Sequence, residues 1–336
     1  MRDGDSISYD HKMADESQWS FPKNLQPKPE SVRFDLEAAL DAVVSVRARI
    51  PEDAFTAPIL GTLRSGNGVV IRDDGLVLTI GYLITEAETV WLTTNRGEVV
   101  TAHPIAYDQV TGFGLVLPLG ELGMPPISRG SAQAAMIGDD VIVVGQGGRP
   151  HALNAQIVAK REFAGYWEYL LDEALFSAPP HPEWGGTALL DTRGRLIGIG
   201  SLLVQEAIGD QTIQGNMMVP IDLLAPILDD MLRLGRPARA PRPWLGLYAT
   251  DASGGPVVRA VADNGPADRA HVQSGDRILE VAGERLASLA DLYRKTWELG
   301  AAGVEVLLTL AREGEILRLR VQSADRNDFL RKPRLH

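Results

Sequence analysis

Residues 66–79 read Gly66-Asn67-Gly68-Val69-Val70-Ile71-Arg72-Asp73-Asp74-Gly75-Leu76-Val77-Leu78-Thr79. Apolar triplets rich in β-branched residues flank an Asp-Asp-Gly turn, the pattern of strand, tight turn and strand. The same pattern recurs at Val90-Trp91-Leu92, Asn95-Arg96-Gly97 and Glu98-Val99-Val100. It returns at Leu189-Leu190, Asp191-Thr192-Arg193-Gly194 and Leu196-Ile197-Gly198-Ile199. Many short strands joined by Gly and Asp turns predict a mostly β body, barrel or sandwich, over residues 60–219.

Outward from this body the periodicity changes. Residues 1–33 are polar and carry Pro22, Pro27 and Pro29, which predicts a flexible tail whose Trp19 and Phe21 dock on a neighbouring surface. Phe34, Leu36, Leu40, Val43 and Val44 recur at helical spacing, so a short amphipathic helix is expected over 33–46. A second helix is expected over 220–234, followed by a Pro- and Arg-rich linker at 236–243. Residues 244–323 read as a compact unit of strands with one helix near 289–299, and 324–336 as a basic tail with Arg331, Lys332 and Arg334. The expected organisation is therefore tail 1–33, body 34–235, linker 236–243, small domain 244–323 and tail 324–336.

Composition narrows the function. The chain is 45% hydrophobic and 23% charged, as globular proteins are. A formal net charge of -11 argues against a nucleic-acid partner, because phosphate binding needs a positive surface. Without cysteine there is neither a disulfide nor a thiolate metal site. No His and carboxylate cluster has metal-ligand spacing, and Gly145-Gln146-Gly147-Gly148 lacks the Lys-Ser/Thr ending of a phosphate loop, so no metal and no cofactor are expected. No apolar run approaches the roughly 18 residues that span a bilayer, and Met1 to Asp10 lack a secretory pattern. A cytoplasmic protein without a membrane span is the resulting expectation.

The small domain resembles a PDZ domain, through Gly275-Asp276-x-Ile278-Leu279-x-Val281-x-Gly283 with Trp244-Leu245-Gly246-Leu247 upstream. The resemblance implies that backbone N–H groups of Leu245, Gly246 and Leu247, after Trp244, face a peptide carboxylate, with Leu289 and Tyr293 lining the side-chain pocket. The body resembles the trypsin-like part of the HtrA family of serine proteases. Residues 66–79, Ile137-Gly138-Asp139-Asp140-Val141 to Gly145, Gly186 to Ile199 and Met218-Val219-Pro220-Ile221 carry that likeness in order. A trypsin-like double β-barrel followed by a small α+β PDZ domain is the implied fold.

Peptide cleavage on this fold needs a hydroxyl nucleophile, a histidine and an orienting acid. The resemblance puts Tyr82 at the histidine position and Gly112 at the acid position. Trp184 or Gly185 falls at the nucleophile, depending on whether the glycine pair or the following strand is aligned. None of these can do the corresponding chemistry, since a tyrosine with an ordinary pKa of about 10 is a poor base at neutral pH. His181 and Thr187 flank the nucleophile turn as a substitute pair, without spacing that places them together. Four aromatics at Phe163, Tyr166, Trp167 and Tyr169 read equally as core or as a rebuilt binding surface.

The resulting expectation is a non-cleaving HtrA-like protein. It would bind peptides, unfolded segments or C-termini through its PDZ domain and old substrate cleft, as adaptor or regulator. The alternatives are an active endopeptidase with a displaced site, and a scaffold whose PDZ groove is unused. Family members commonly form trimers through N-terminal segments, which makes a homo-oligomer the expectation and Trp19, Phe21 and Phe55 its candidate contacts.

Overall fold

The structure, a computed structural model, describes residues 19–208 and 211–331. The first hairpin forms where its residues demand it: the Asp74 side chain accepts from the Leu76 N–H at 3.2 Å, and Gly75 takes the φ of +80° that the turn requires. Six strands build the first barrel: β1 (Val43–Arg49), β2 (Leu63–Val70), β3 (Val77–Ile80), β4 (Thr89–Thr93), β5 (Val99–Tyr107) and β6 (Phe113–Pro118). Their order is β1-β2-β3-β6-β5-β4, and β4 pairs back onto β1 to close the sheet. Closure leaves no free edge to aggregate.

The second barrel repeats the plan with β7 (Asp140–Val144), β8 (Ala152–Gly165), β9 (Tyr169–Ala178), β10 (Ala188–Leu190), β11 (Leu196–Ile208) and β12 (Gln211–Pro220). Its order is β10-β11-β12-β9-β8-β7, closed by β7 on β10. Val143, Leu153, Leu175, Leu189, Ile197 and Met218 fill it, while Leu78, Leu92, Phe113 and Leu115 are among the buried residues of the first. A third sheet, β13 (Leu247–Thr250), β14 (Val257–Val261), β15 (Arg277–Val281), β17 (Glu305–Arg312) and β18 (Glu315–Gln322), has β13 at its edge and a short β16 (Glu284–Arg285) beside β15. The helix Leu289–Glu298 packs on it, capped by Ser288, whose hydroxyl accepts from the Asp291 N–H.

Three expectations change. The helix read over 33–46 is helical only at Leu36–Asp41; Val43-Val44-Ser45-Val46 enters β1 instead, because a β-branched run buried on a barrel favours the strand. The helix read over 220–234 breaks at Pro226, leaving a 3-10 turn at Ile221–Leu223 and a helix at Leu228–Leu234. The described parts of both tails pack against the body. Phe21 donates its N–H to Pro150 O at 2.9 Å and Asn154 donates to Leu25 O at 2.8 Å. Phe329 lies 4.8 Å from the Trp244 ring and 5.8 Å from that of Phe55. Residues 1–18 and 332–336 lie outside the described residues.

Asp276 of the Gly-Asp motif is a fixed point of the small domain. Its buried carboxylate takes two hydrogen bonds from Arg312, at 2.6 and 2.7 Å, and a third from the Gln273 N–H at 2.8 Å. Asp276→Ala should destabilise this domain by roughly 2 kcal/mol, since the Gln273 amide loses its acceptor and the charge-assisted pair with Arg312 is lost. Calorimetric unfolding of the two proteins checks it.

Candidate functional site

The site lies where the two barrels meet. Strand β3 ends at Ile80 and a 3-10 turn, Gly81–Leu83, presents Tyr82. The turn is pinned from both sides: Gly81 N–H donates to Gly112 O at 2.7 Å, and Arg64 donates to Tyr82 O at 2.7 Å. The Tyr82 hydroxyl crosses to the second barrel and donates to Ser201 O at 2.8 Å. Burial pushes the phenol well above its ordinary range, opposed by a side-chain hydrogen bond with Trp184. A Cβ added at Gly185 would fall 2.7 Å from that hydroxyl, so Tyr82 fills the space beside Gly185. Gly112 has φ +79° and sits under the Tyr169 hydroxyl, which donates to Thr111 O at 2.8 Å. The positions singled out in the sequence thus converge. Gly112 meets the Tyr82 turn through its carbonyl, and Tyr82 meets Trp184 and Gly185.

Asn67 of β2 organises the turn after His181. Its N–H donates to Gly185 O at 2.7 Å, and its side-chain amide donates to Glu183 O at 2.8 Å. Gly186 takes φ +78°, and a Cβ there would lie 1.8 Å from Asn67 O, so only glycine fits. Thr187 donates its hydroxyl to Trp184 O at 3.0 Å. His181 is fully buried; Nε2 faces His151 O at 3.0 Å, while Nδ1 accepts from the Glu183 N–H at 3.1 Å. These partners assign the proton to Nε2. His181 and Thr187 therefore have separate partners and do not form a pair. Asp108 is likewise taken, accepting from Thr111 N–H at 3.0 Å and its hydroxyl at 2.8 Å, and pairing with Arg239.

Around this floor opens a cleft of about 960 Å³, walled by Trp19, Phe55, Tyr82, Tyr166, Trp167 and Trp184. The aromatic cluster read from the sequence divides between two roles. Tyr169 is core at 3% exposure, stacked on Trp167 at 5.4 Å, whereas Tyr166 is 46% exposed and faces the cleft with Trp167. Trp19, expected as an oligomer contact, packs on His151 at 4.4 Å and on His181 at 5.5 Å.

The residues expected to hold a peptide carboxylate also come together. Leu245, Gly246 and Leu247 donate their N–H groups at 3.0, 2.7 and 2.8 Å. The acceptor is the chain's own Glu168, from the turn between β8 and β9. Gly246 has φ +76°, and Glu168 itself adopts φ +58°, a conformation that costs a non-glycine residue about 1 kcal/mol or more. Burial pushes the Glu168 carboxyl up to about 7, against the three N–H bonds and the field of Arg326. Tyr293 donates to Gly165 O at 2.7 Å and accepts from the Glu168 N–H at 3.1 Å. Leu289 and Trp244 are buried nearby, Trp244 with its ring 5.8 Å from that of Phe55. Glu168 had no signal in the sequence beyond lying among the aromatics.

Comparison with known proteins places this geometry. Residues 66–199 match the trypsin-like peptidase domain family and residues 243–322 the PDZ domain family. Serine endoprotease DegS of Haemophilus influenzae is 25% identical over 269 residues, covering 76% of each chain. DegS of Salmonella typhimurium is 27% identical over 297 residues, covering 82% of this chain and 81% of its own. A probable periplasmic serine endoprotease, DegP-like, of Pseudomonas putida is 23% identical over 263 residues, covering 74% of this chain and 53% of its own. Among solved structures, HtrA-type protease AlgW with decapeptide superposes at TM-score 0.50 and 18% identity, covering 89% of this chain and 99% of that one. The serine endoprotease from Yersinia pestis does so at TM-score 0.50 and 22%, covering 88% and 99%. Fold and domain order define a trypsin-like barrel pair carrying a C-terminal PDZ domain. In both domains and in their order the chain is similar to HtrA-type serine endoproteases.

The cytoplasmic expectation is overturned by these relatives, several of which are named as periplasmic, pointing to the bacterial envelope. That expectation rested on the absence of a leader pattern, which says nothing positive about compartment, and a cysteine-free chain suits an oxidising space equally well. Among the described residues no helix is long and apolar enough to cross a membrane.

His181 supplies a test of the floor. Burial lowers its imidazole from 6.5 to about 4, so between those pH values the unfolded chain takes up a proton that the folded chain refuses. Stability contributed by this group is present above pH 6.5 and falls by on the order of 3 kcal/mol as pH drops to about 4. Urea unfolding across that window should show a steeper acid loss in the wild type than in His181→Asn.

Proposed function

We propose that this HtrA-like chain binds extended segments of other proteins, unfolded stretches or C-termini, without cutting them, as an adaptor or regulator. The observation that carries the reading is Tyr82. Its phenol stands where the family's histidine is expected, is hydrogen-bonded to Ser201 O and lies against Gly185. Loss of the nucleophile from a serine protease lowers turnover on the order of a millionfold. His181, the imidazole flanking the nucleophile turn, has both ring nitrogens engaged and a pKa too low to accept a proton from a hydroxyl at neutral pH. What the cleft retains is recognition: an aromatic-walled groove with rigid rings at low entropic cost to ordering. A homo-oligomer belongs to the same proposal, with exposed Ile59, Leu60 and Leu63 as apolar surface for it.

Overnight incubation with fluorescent casein should release no peptide above buffer. Release that follows the protein through purification and disappears in Thr187→Ala or His181→Ala would overturn the reading. Binding of reduced, unfolded casein, followed by anisotropy, should weaken about tenfold in Trp184→Ala, the effect of removing one buried aromatic anchor.

A further inference from the structure

In the PDZ groove three consecutive amides converge on one carboxylate, the arrangement by which such a loop captures a chain terminus. Here the carboxylate is a side chain, and the segment that bears it is also laid out as a peptide. Tyr166 O accepts from the Ala249 N–H at 3.0 Å, a backbone bond to β13, the sheet edge on which a ligand strand would add. Two residues after Glu168, Leu170 is 7% exposed and buried in the same apolar cluster as Leu245, Leu247, Leu289 and Tyr293. One hairpin therefore supplies an anion for the amides, a backbone rung for the edge strand and an aliphatic side chain for the core. Outside the groove, Arg294 of the PDZ helix pairs with Glu162 on β8 and with Asp172 on β9 at 2.7 Å, clasping both arms of the hairpin. Glu168 holds a backbone conformation that glycine takes more readily, so the position is occupied for its carboxylate and not for its turn geometry.

We infer that the β8–β9 turn is the resident ligand of the PDZ groove, with Glu168 standing in for a peptide's terminal carboxylate, so that an external C-terminus binds there only by displacing it. The inference is independent of whether the cleft between the barrels binds unfolded segments. A ligand tethered in the same chain acts at an effective concentration in the millimolar range or above, and a free peptide of micromolar intrinsic affinity is held off accordingly. Displacement would also release Tyr166 and Trp167, which wall the cleft, so the two binding surfaces share one element.

The test uses the full chain and a labelled peptide ending in leucine with a free carboxylate, with binding read by anisotropy and located through the Gly246 amide resonance. Glu168→Gly removes the carboxylate and relieves the backbone; Glu168→Gln keeps shape and size and removes the charge. Both variants should bind the peptide at least tenfold more tightly than the wild type, with Glu168→Gly the tighter, and shift the Gly246 resonance. The same peptide with an amidated end should bind none of the three proteins. Equal affinity for wild type and variants would overturn the inference, as would a folded Glu168→Gly that binds no free-carboxylate peptide. Loss of casein binding with this peptide series intact would instead sink only the cleft reading.

Discussion

The cleft depends on Asn67. One buried asparagine on β2 donates its N–H to Gly185 O and its side-chain N–H to Glu183 O, while its side-chain oxygen accepts from the Gln146 N–H and its own carbonyl accepts the Thr79 hydroxyl at 2.6 Å. Each bond contributes only about 1 kcal/mol net, but together they join the first barrel to two loops of the second. The position of Gly186 follows, because its Cα lies against that same carbonyl. The orientation of Trp184 and the seat of the Tyr82 phenol follow in turn. The aromatic walls are a consequence of a polar seam.

What could be read in the sequence was what is local. Val69 to Leu78 announces a hairpin because two apolar runs flank a turn that only Asp and Gly favour, and the strands form there. Tyr82, Gly112 and Trp184 or Gly185 were singled out by the family resemblance, which aligns each of them on a neighbouring strand or glycine motif. The reading of 33–46 as a helix failed at Val43, where apolar spacing fitted two periods and barrel closure decided between them. Glu168 was illegible for a different reason. Its partners are 77 to 79 residues away, and an acidic residue between aromatics in a hairpin ordinarily faces water. His181 and Thr187 were candidates for a pair because they flank the nucleophile turn; hydrogen bonds to His151 and Trp184, which spacing does not encode, separate them.

The two domains are joined by more than their linker. Arg239 of the linker pairs with Asp108, the Arg242 guanidinium lies 4.0 Å over the Trp297 ring, and Arg326 donates to Gln109 at 2.7 Å. The chain after the PDZ sheet then returns to the first barrel, where the Arg331 N–H donates to Glu86 at 2.7 Å. Glu86 also accepts from the Phe55 and Thr56 N–H groups, so one carboxylate fastens a loop of the body and the returning chain together. With contacts at the groove, the linker and the returning chain, rotation of one domain against the other is opposed at three places at once.

The packing beside Gly185 also bears on how such a sequence can change over generations. A serine placed at 185 would bring its Cβ within 2.7 Å of the Tyr82 hydroxyl, and an aspartate placed at 112 would have to adopt φ +79° under the Tyr169 ring. Exchange of Tyr82 for histidine alone would withdraw a barrel-to-barrel hydrogen bond while meeting no hydroxyl at 185 to activate. A serine at 185 is therefore disfavoured while Tyr82 is in place, and an aspartate at 112 is disfavoured whatever stands at the other two positions. On the non-cleaving reading proposed above, the site would work as a ratchet: mutational drift would refine a binding surface more readily than it would assemble a cutting apparatus one residue at a time.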